Sequence, residues 1–161
     1  FTITSTTVEP IISAFFMMEN SFWCNYEKYA TTHGFYWQYR KGEFMQALDI
    51  VKTAVKAIDS KKGENIEVIG ITDLTVLTDY FVIATATSST QVKAISDEVE
   101  YKLDLLGVEP HHIEGRNTSW VCLDYNSVVI HIFHKQQRDF YSLERLWEDG
   151  EILDTAKLLE D

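Results

Sequence analysis

From Met45 onward, the spacing of apolar and polar positions predicts a sequence of elements. Leu48, Val51, Val55 and Ile58 recur at helical spacing through Asp59. Lys61-Lys62-Gly63 then favours a helix end: positive charge faces the carbonyl end of the dipole, and a glycine stops the run. The runs IEVIGI (66–71) and YFVIATA (80–86) predict two strands. Only eight residues join them. A parallel pair needs a longer crossover, so this pair is expected to be antiparallel. SSTQ (88–91) matches a capping box, with Ser88 as cap and Gln91 at the third helical position. Val92, Ile95, Val99, Leu103 and Leu106 mark the buried stripe of a helix that Gly107 ends. A short strand follows around His112 to Glu114, and strand, helix, strand reads as a right-handed crossover with a parallel pair. WVCLDY and VVIHIF predict a hairpin about Asn126-Ser127, where asparagine tolerates the left-handed backbone. Arg138 to Trp147 predicts a closing helix, and EDGEILDTAKLLED (148–161) a short helix or frayed tail. The expected fold class is α/β (α+β), a mixed sheet of about five strands with three helices.

Composition divides the chain. Its 161 residues, 45% hydrophobic, suit one compact domain with an appendage. Residues 1–44 hold over half of the aromatic residues. Residues 45–161 carry 11 Lys+Arg against 21 Asp+Glu, so −10 of the net charge of −11 lies there. The expected division is an N-terminal extension over 1–44, a domain over 45–147 and an acidic tail over 148–161. IISAFFMM (11–18) is too short to span a bilayer, and no Lys or Arg precedes it as in a signal peptide. Arginines of an organelle transit peptide are lacking too, and Met45 would make a natural start. No membrane partner is expected. The acidity argues against free nucleic acid, which needs a basic patch, and suits a basic protein partner. Cys24 and Cys122 form no CxxC and no disulfide framework, which points to a reducing, cytoplasmic setting.

The densest chemistry lies in SVVIHIFHKQQRDFYSLERLW (127–147). His131 and His134 are three apart, so on one strand they point to opposite faces and cannot share a metal. His111 and His112 diverge likewise. Without an HExxH or other ligand spacing, no metal and no cofactor is expected. A two-residue turn at Asn126-Ser127 pairs Cys122 with His131; moving the turn centre by one residue pairs 120 with 131 instead. A Cys122–His131 dyad is therefore geometrically conceivable. Neither a helix N-terminus nor a third residue activates it, so structural packing is the better reading and no catalytic residue is assigned.

Either register puts Trp120, Cys122, Val129, His131 and Phe133 on one face. Val121, Leu123, Tyr125, Val128, Ile130 and Ile132 take the other, all apolar or aromatic, which is expected to pack on the helices. The first face reads as an interface core, rich in aromatics and free of Lys and Glu. Its alternatives are a structural cover by residues 1–44, by another helix, or by a second copy in a homodimer.

LTDYFVIATATSSTQVKAISDEV followed by EGRNTSWVCLDYNSVVIHIFHKQQRDFYSLERLW closely resembles the ribosomal silencing factor family, also called Iojap. The likeness runs from about Met45 to Trp147 and comprises several motifs in order: TDYFVI, the Ser-Ser-Thr-Gln helix start, EG…W…LDY, VVIHIFH and the Tyr-x-Leu-Glu-x-Leu-Trp ending. Asn126 stands where the family usually has glycine. The resemblance implies binding to the large ribosomal subunit through ribosomal protein fourteen of that subunit. Occupying that surface would block subunit joining and repress translation when nutrients are short. It also implies a nucleotidyltransferase-like topology. Those enzymes need a Gly-Ser turn and paired aspartates; ATATSSTQ lacks the glycine, and Asp124 has no partner two residues away. The match places Trp120, Asp124, His131 and Phe133 on the partner face, with Tyr141 and Glu144 at its rim. Asp79 reads first as a structural cap. The alternative to a non-enzymatic binder is a nucleotidyltransferase-like or Cys–His thiol enzyme.

Overall fold

The computed structural model describes residues 45–160. Helix α1 (Ala47–Ser60) buries Ile50, Val51, Ala54, Val55, Ala57 and Ile58 along one side. Asp49 accepts a hydrogen bond from the Gln46 N–H at 3.3 Å and helps to start the helix. At its end Lys62, not Gly63, takes the left-handed backbone (φ 61°). Gly63 serves a different purpose, since a Cβ there would lie 2.3 Å from Ile58 Cγ2.

Six strands follow in chain order: β1 (Glu64–Gly70), β2 (Tyr80–Ala86), β3 (His112–Glu114), β4 (Trp120–Asp124), β5 (Val128–His134) and β6 (Glu151–Leu153). They form one sheet in the order β3-β4-β5-β2-β1-β6. β1 and β2 are antiparallel as expected, and β2 with β5 is the parallel pair. The crossover from β2 therefore does not end on an adjacent β3. Helix α2 (Ser89–Asp104) carries the chain over, but β4 and β5 lie between β2 and β3. The physical reason is burial. β5 is buried along nearly its whole length and suits the centre, whereas β3 is three residues long and partly exposed, which suits an edge.

Ser88 caps α2 by accepting from the Gln91 N–H at 3.1 Å. The Gln91 side chain departs from the expected box. It accepts from Thr87 N–H and donates to the Lys61 and Lys62 carbonyls, tying α2 to the end of α1. The expected closing helix is broken into two. Helix α3 (Lys135–Tyr141) stops at Ser142 (φ 44°), and a 3-10 turn (Leu143–Trp147) continues. His134 caps α3 through Nδ1.

The acidic segment from 148, expected as a short helix or a frayed tail, holds that short helix, α4 (Thr155–Glu160), which buries Leu158. Ahead of it lies a strand the sequence did not announce: β6 pairs antiparallel with β1 and extends the sheet. The strand was hidden in the sequence by its acidity, because only one side of an edge strand needs apolar residues. Alternation sorts the sheet into two faces. Val68, Val82, Ala84, Val121, Leu123, Val128, Ile130 and Ile132 join the core under α1, α2 and α4. The second face carries the opposite set.

Candidate partner-binding face

The hairpin has the two-residue register: Cys122 opposes His131 and Trp120 opposes Phe133. Asn126 holds the left-handed turn (φ 65°), and Asp124 accepts its N–H at 2.8 Å. Side-chain parity then collects Trp120, Cys122, Val129, His131 and Phe133 on the second face. From β2, the strand parallel to β5, Phe81 joins them, and Tyr141 and Trp147 close over from α3 and the 3-10 turn.

The result is a continuous aromatic layer. Trp120 stacks on Phe133 at 4.7 Å between ring centroids and meets Tyr141 at 4.9 Å. Phe81 bridges His131 at 5.5 Å and Trp147 at 5.2 Å. The half-buried Trp120 donates its indole N–H to His131 Nδ1 at 3.2 Å. His131 is only 3% exposed, and that burial lowers its pKa to about 3. It therefore stands neutral, as an acceptor for the tryptophan.

This geometry changes the role of several expected contact residues. His131 and Phe133, expected on the partner face, are buried within the aromatic layer. Tyr141 is largely buried beneath its neighbours. Asp124 remains half-buried at the hairpin, where it stabilises the turn. Glu144 accepts from Arg138 Nε at 3.0 Å and so anchors the 3-10 turn. What reaches solvent is part of Trp120 and, beyond Tyr141, Phe140, which is 71% exposed and meets the Tyr141 ring edge-on at 5.0 Å.

Several contributors were missed from the sequence, Trp147 among them. Phe81 lies in a strand that is apolar or aromatic at every position but Thr85, so alternation gives its face little sign. Phe140 sits beside Tyr141 without a pattern of its own. Arg138 is buried although its neighbours are polar. It donates to Asn65 O, to Thr85 Oγ1 at 2.8 Å and to Glu144, and pairs with Glu67 at 3.2 Å. Arg138 thereby clamps α3 to β1 and β2. A planar guanidinium with five donors fits this task where a lysine would not. Asp79 acts through its backbone, donating to Ser127 O and accepting from Ile71 N–H.

Among the described residues no group of three or more His, Cys, Asp or Glu could hold a metal ion. None of the described helices is long and apolar enough to cross a membrane. The fold and this face define a small mixed α/β domain with a layered aromatic face on the side of the sheet away from α1 and α2. Residues 45–161 match the family described as ribosomal silencing factor during starvation, and the chain belongs to that family. It is 36% identical over 111 residues to ribosomal silencing factor RsfS of Bacillus subtilis, covering 68% of this chain and 94% of that protein. It is 32% identical over 102 residues to the chloroplastic protein Iojap of Zea mays, covering 63% of this chain and 45% of that protein. A crystal structure of a protein from Chromobacterium violaceum superposes with a TM-score of 0.63 at 35% identity, covering 65% of this chain and 88% of the other.

Proposed function

We propose that this chain binds the large ribosomal subunit through its ribosomal protein fourteen and blocks joining of the small subunit, repressing translation. Family membership supports the ribosomal setting. The observation that carries the choice of face is the aromatic path from Trp120 through Tyr141 to the exposed Phe140. Large exposed aromatics backed by a rigid layer are what interface anchors require. Trp120 and Phe140 make the contact, with Asp124 and Tyr141 beside them. His131, Phe133 and Glu144 hold those residues in place.

A binder without chemistry fits the site better than an enzyme. For Cys122 to act as a nucleophile, His131 would have to take its proton. An imidazole with a pKa of about 3, its Nδ1 engaged by Trp120, is too weak a base for a thiol of ordinary pKa near 8.5. The bacterial relative and the chloroplastic one fit a reducing compartment, cytoplasmic or organellar. Sedimentation with purified subunits tests the function. The chain is expected to co-sediment with free large subunits and not with joined ribosomes, where the site is covered. Equal binding to both would overturn it.

A further inference from the structure

β1 is not a regular strand. Glu64 pairs with Thr85 and Glu67 with Ile83, so two residues of β1, Asn65 and Ile66, face one residue of β2, Ala84. This is a β-bulge, and Asn65 takes a left-handed backbone in it (φ 47°). Asparagine adopts that conformation more readily than most residues with a side chain. A regular ladder keeps its carbonyls in the plane of the sheet, aimed at neighbouring strands. A bulged residue is left out of the ladder, so its carbonyl can serve a donor that arrives from another element. The Asn65 carbonyl accepts from Arg138 Nη1.

Both sides of the bulge reach the same guanidinium. Asn65 offers its carbonyl, and Glu67, just past the bulge, offers its carboxylate at 3.2 Å. Thr85, which faces Glu64 across the ladder, accepts at 2.8 Å. Arg138 in turn sets the roll of α3. Arg138 and Tyr141 are three apart, on one side of the helix, and both are buried. Phe140 is two residues beyond Arg138, about 200° round the helix, and points to solvent. A helix of seven residues has little rigidity of its own, so the direction of Phe140 follows from where Arg138 is held.

We propose that Asn65 is a positioning residue for the partner face. Its left-handed backbone forms the bulge that fixes Arg138, and Arg138 fixes how Phe140 and Tyr141 are presented. The inference rests on the reading of Phe140 as a contact with the large subunit. Asn65 acts through Arg138 and not by contact. The ordinary alternative is that Asn65 serves only the turn out of α1, where Lys62 is also left-handed.

The test compares Asn65→Gly, Asn65→Ala and Asn65→Val in the full chain. Glycine takes a positive φ freely, alanine at a cost, and β-branched valine at the greatest cost. Affinity for purified large subunits is expected to stay within about twofold for Asn65→Gly and to fall roughly tenfold for Asn65→Val, with Asn65→Ala between them. Amide exchange is expected to quicken in Lys135–Trp147 in the same order while β2 and β5 stay protected. The Gly and Ala variants alone carry the comparison if Asn65→Val does not fold. In a Phe140→Ser background, Asn65→Ala is expected to cost little further affinity, because the side chain it aims is gone. Equal affinity for all variants, fully additive losses, or unchanged exchange in Lys135–Trp147 would overturn the proposal. So would faster exchange confined to residues 58–66, which would make Asn65 a turn residue of α1. Failure of the parent chain to bind large subunits would overturn the ribosomal reading instead. The order of exchange in Lys135–Trp147 would then still decide whether Asn65 positions α3.

Discussion

At the scale of single residues, the aromatic layer separates support from contact. Phe140 gives the cleanest test because it is exposed and its loss leaves no cavity. Phe140→Ser is expected to leave unfolding within about 0.5 kcal/mol of the parent while weakening large-subunit binding roughly tenfold or more. Unchanged affinity would remove Phe140 from the interface. Trp120 carries both duties. Trp120→Ala is expected to cost about 2–4 kcal/mol of binding. It would also leave His131 Nδ1 without its donor, at roughly 1–3 kcal/mol of stability. His131 makes the fold sensitive to acid. Its imidazole binds a proton near pH 6.5 when unfolded and only near pH 3 when folded, so the unfolded chain takes up the proton first as pH falls. This contribution is complete above about pH 6.5 and declines progressively towards pH 3. His131→Gln keeps an acceptor for the indole but does not titrate. Between pH 7 and 5 the parent is expected to lose about 2 kcal/mol more than this variant in denaturant unfolding. Parallel losses would show that His131 is not buried neutral.

At the scale of elements, Arg138 decides whether α3 stays on the sheet. The helix has seven residues, too few to persist alone, and its partners are brought together by one guanidinium. Arg138→Met is expected to destabilise by roughly 3–5 kcal/mol, since Glu67 and Glu144 would lose their shared cation. That range belongs to fully buried pairs; the partial exposure of both glutamates puts the expectation at its lower end. Amide exchange is the measurement that separates local from global effects. Protection is expected to fall first in Lys135–Trp147, with β2 and β5 retained. Uniform loss would mean that the clamp holds the whole domain. Break and clamp explain each other. Ser142 turns the chain in a left-handed conformation, so Glu144 can return to Arg138 and Trp147 can reach Phe81.

At the scale of the whole molecule, charge governs encounter more than hold. With −10 over residues 45–161, long-range attraction to a basic partner is screened as salt rises. The association rate with large subunits is expected to fall with ionic strength while dissociation changes much less, measured by stopped-flow or surface binding. A flat association rate would confine the acidity to solubility.

Sequence by itself determined what is local or periodic. Helical spacing marked α1 and α2, and Ser88 marked a start that the structure keeps. Asn126 marked the hairpin turn but left its register open by one residue, which the structure settled, while the period of two fixed which residues share a face in either register. The all-apolar hairpin face of Val121, Leu123, Ile130 and Ile132 was also assigned to the helices from the sequence, as found. Tertiary structure alone decided that much of the opposite face is covered as well, because a strand largely apolar on both sides carries no sign of its outside. His131 and Phe133 looked like contact residues until Tyr141 and Trp147, arriving from a later element, completed the layer around them. The same holds for β2 beside β5 and for β6 on β1. Those pairings join segments far apart in the chain, and the hydrogen bonds and burial that select them exist only once the sheet is assembled.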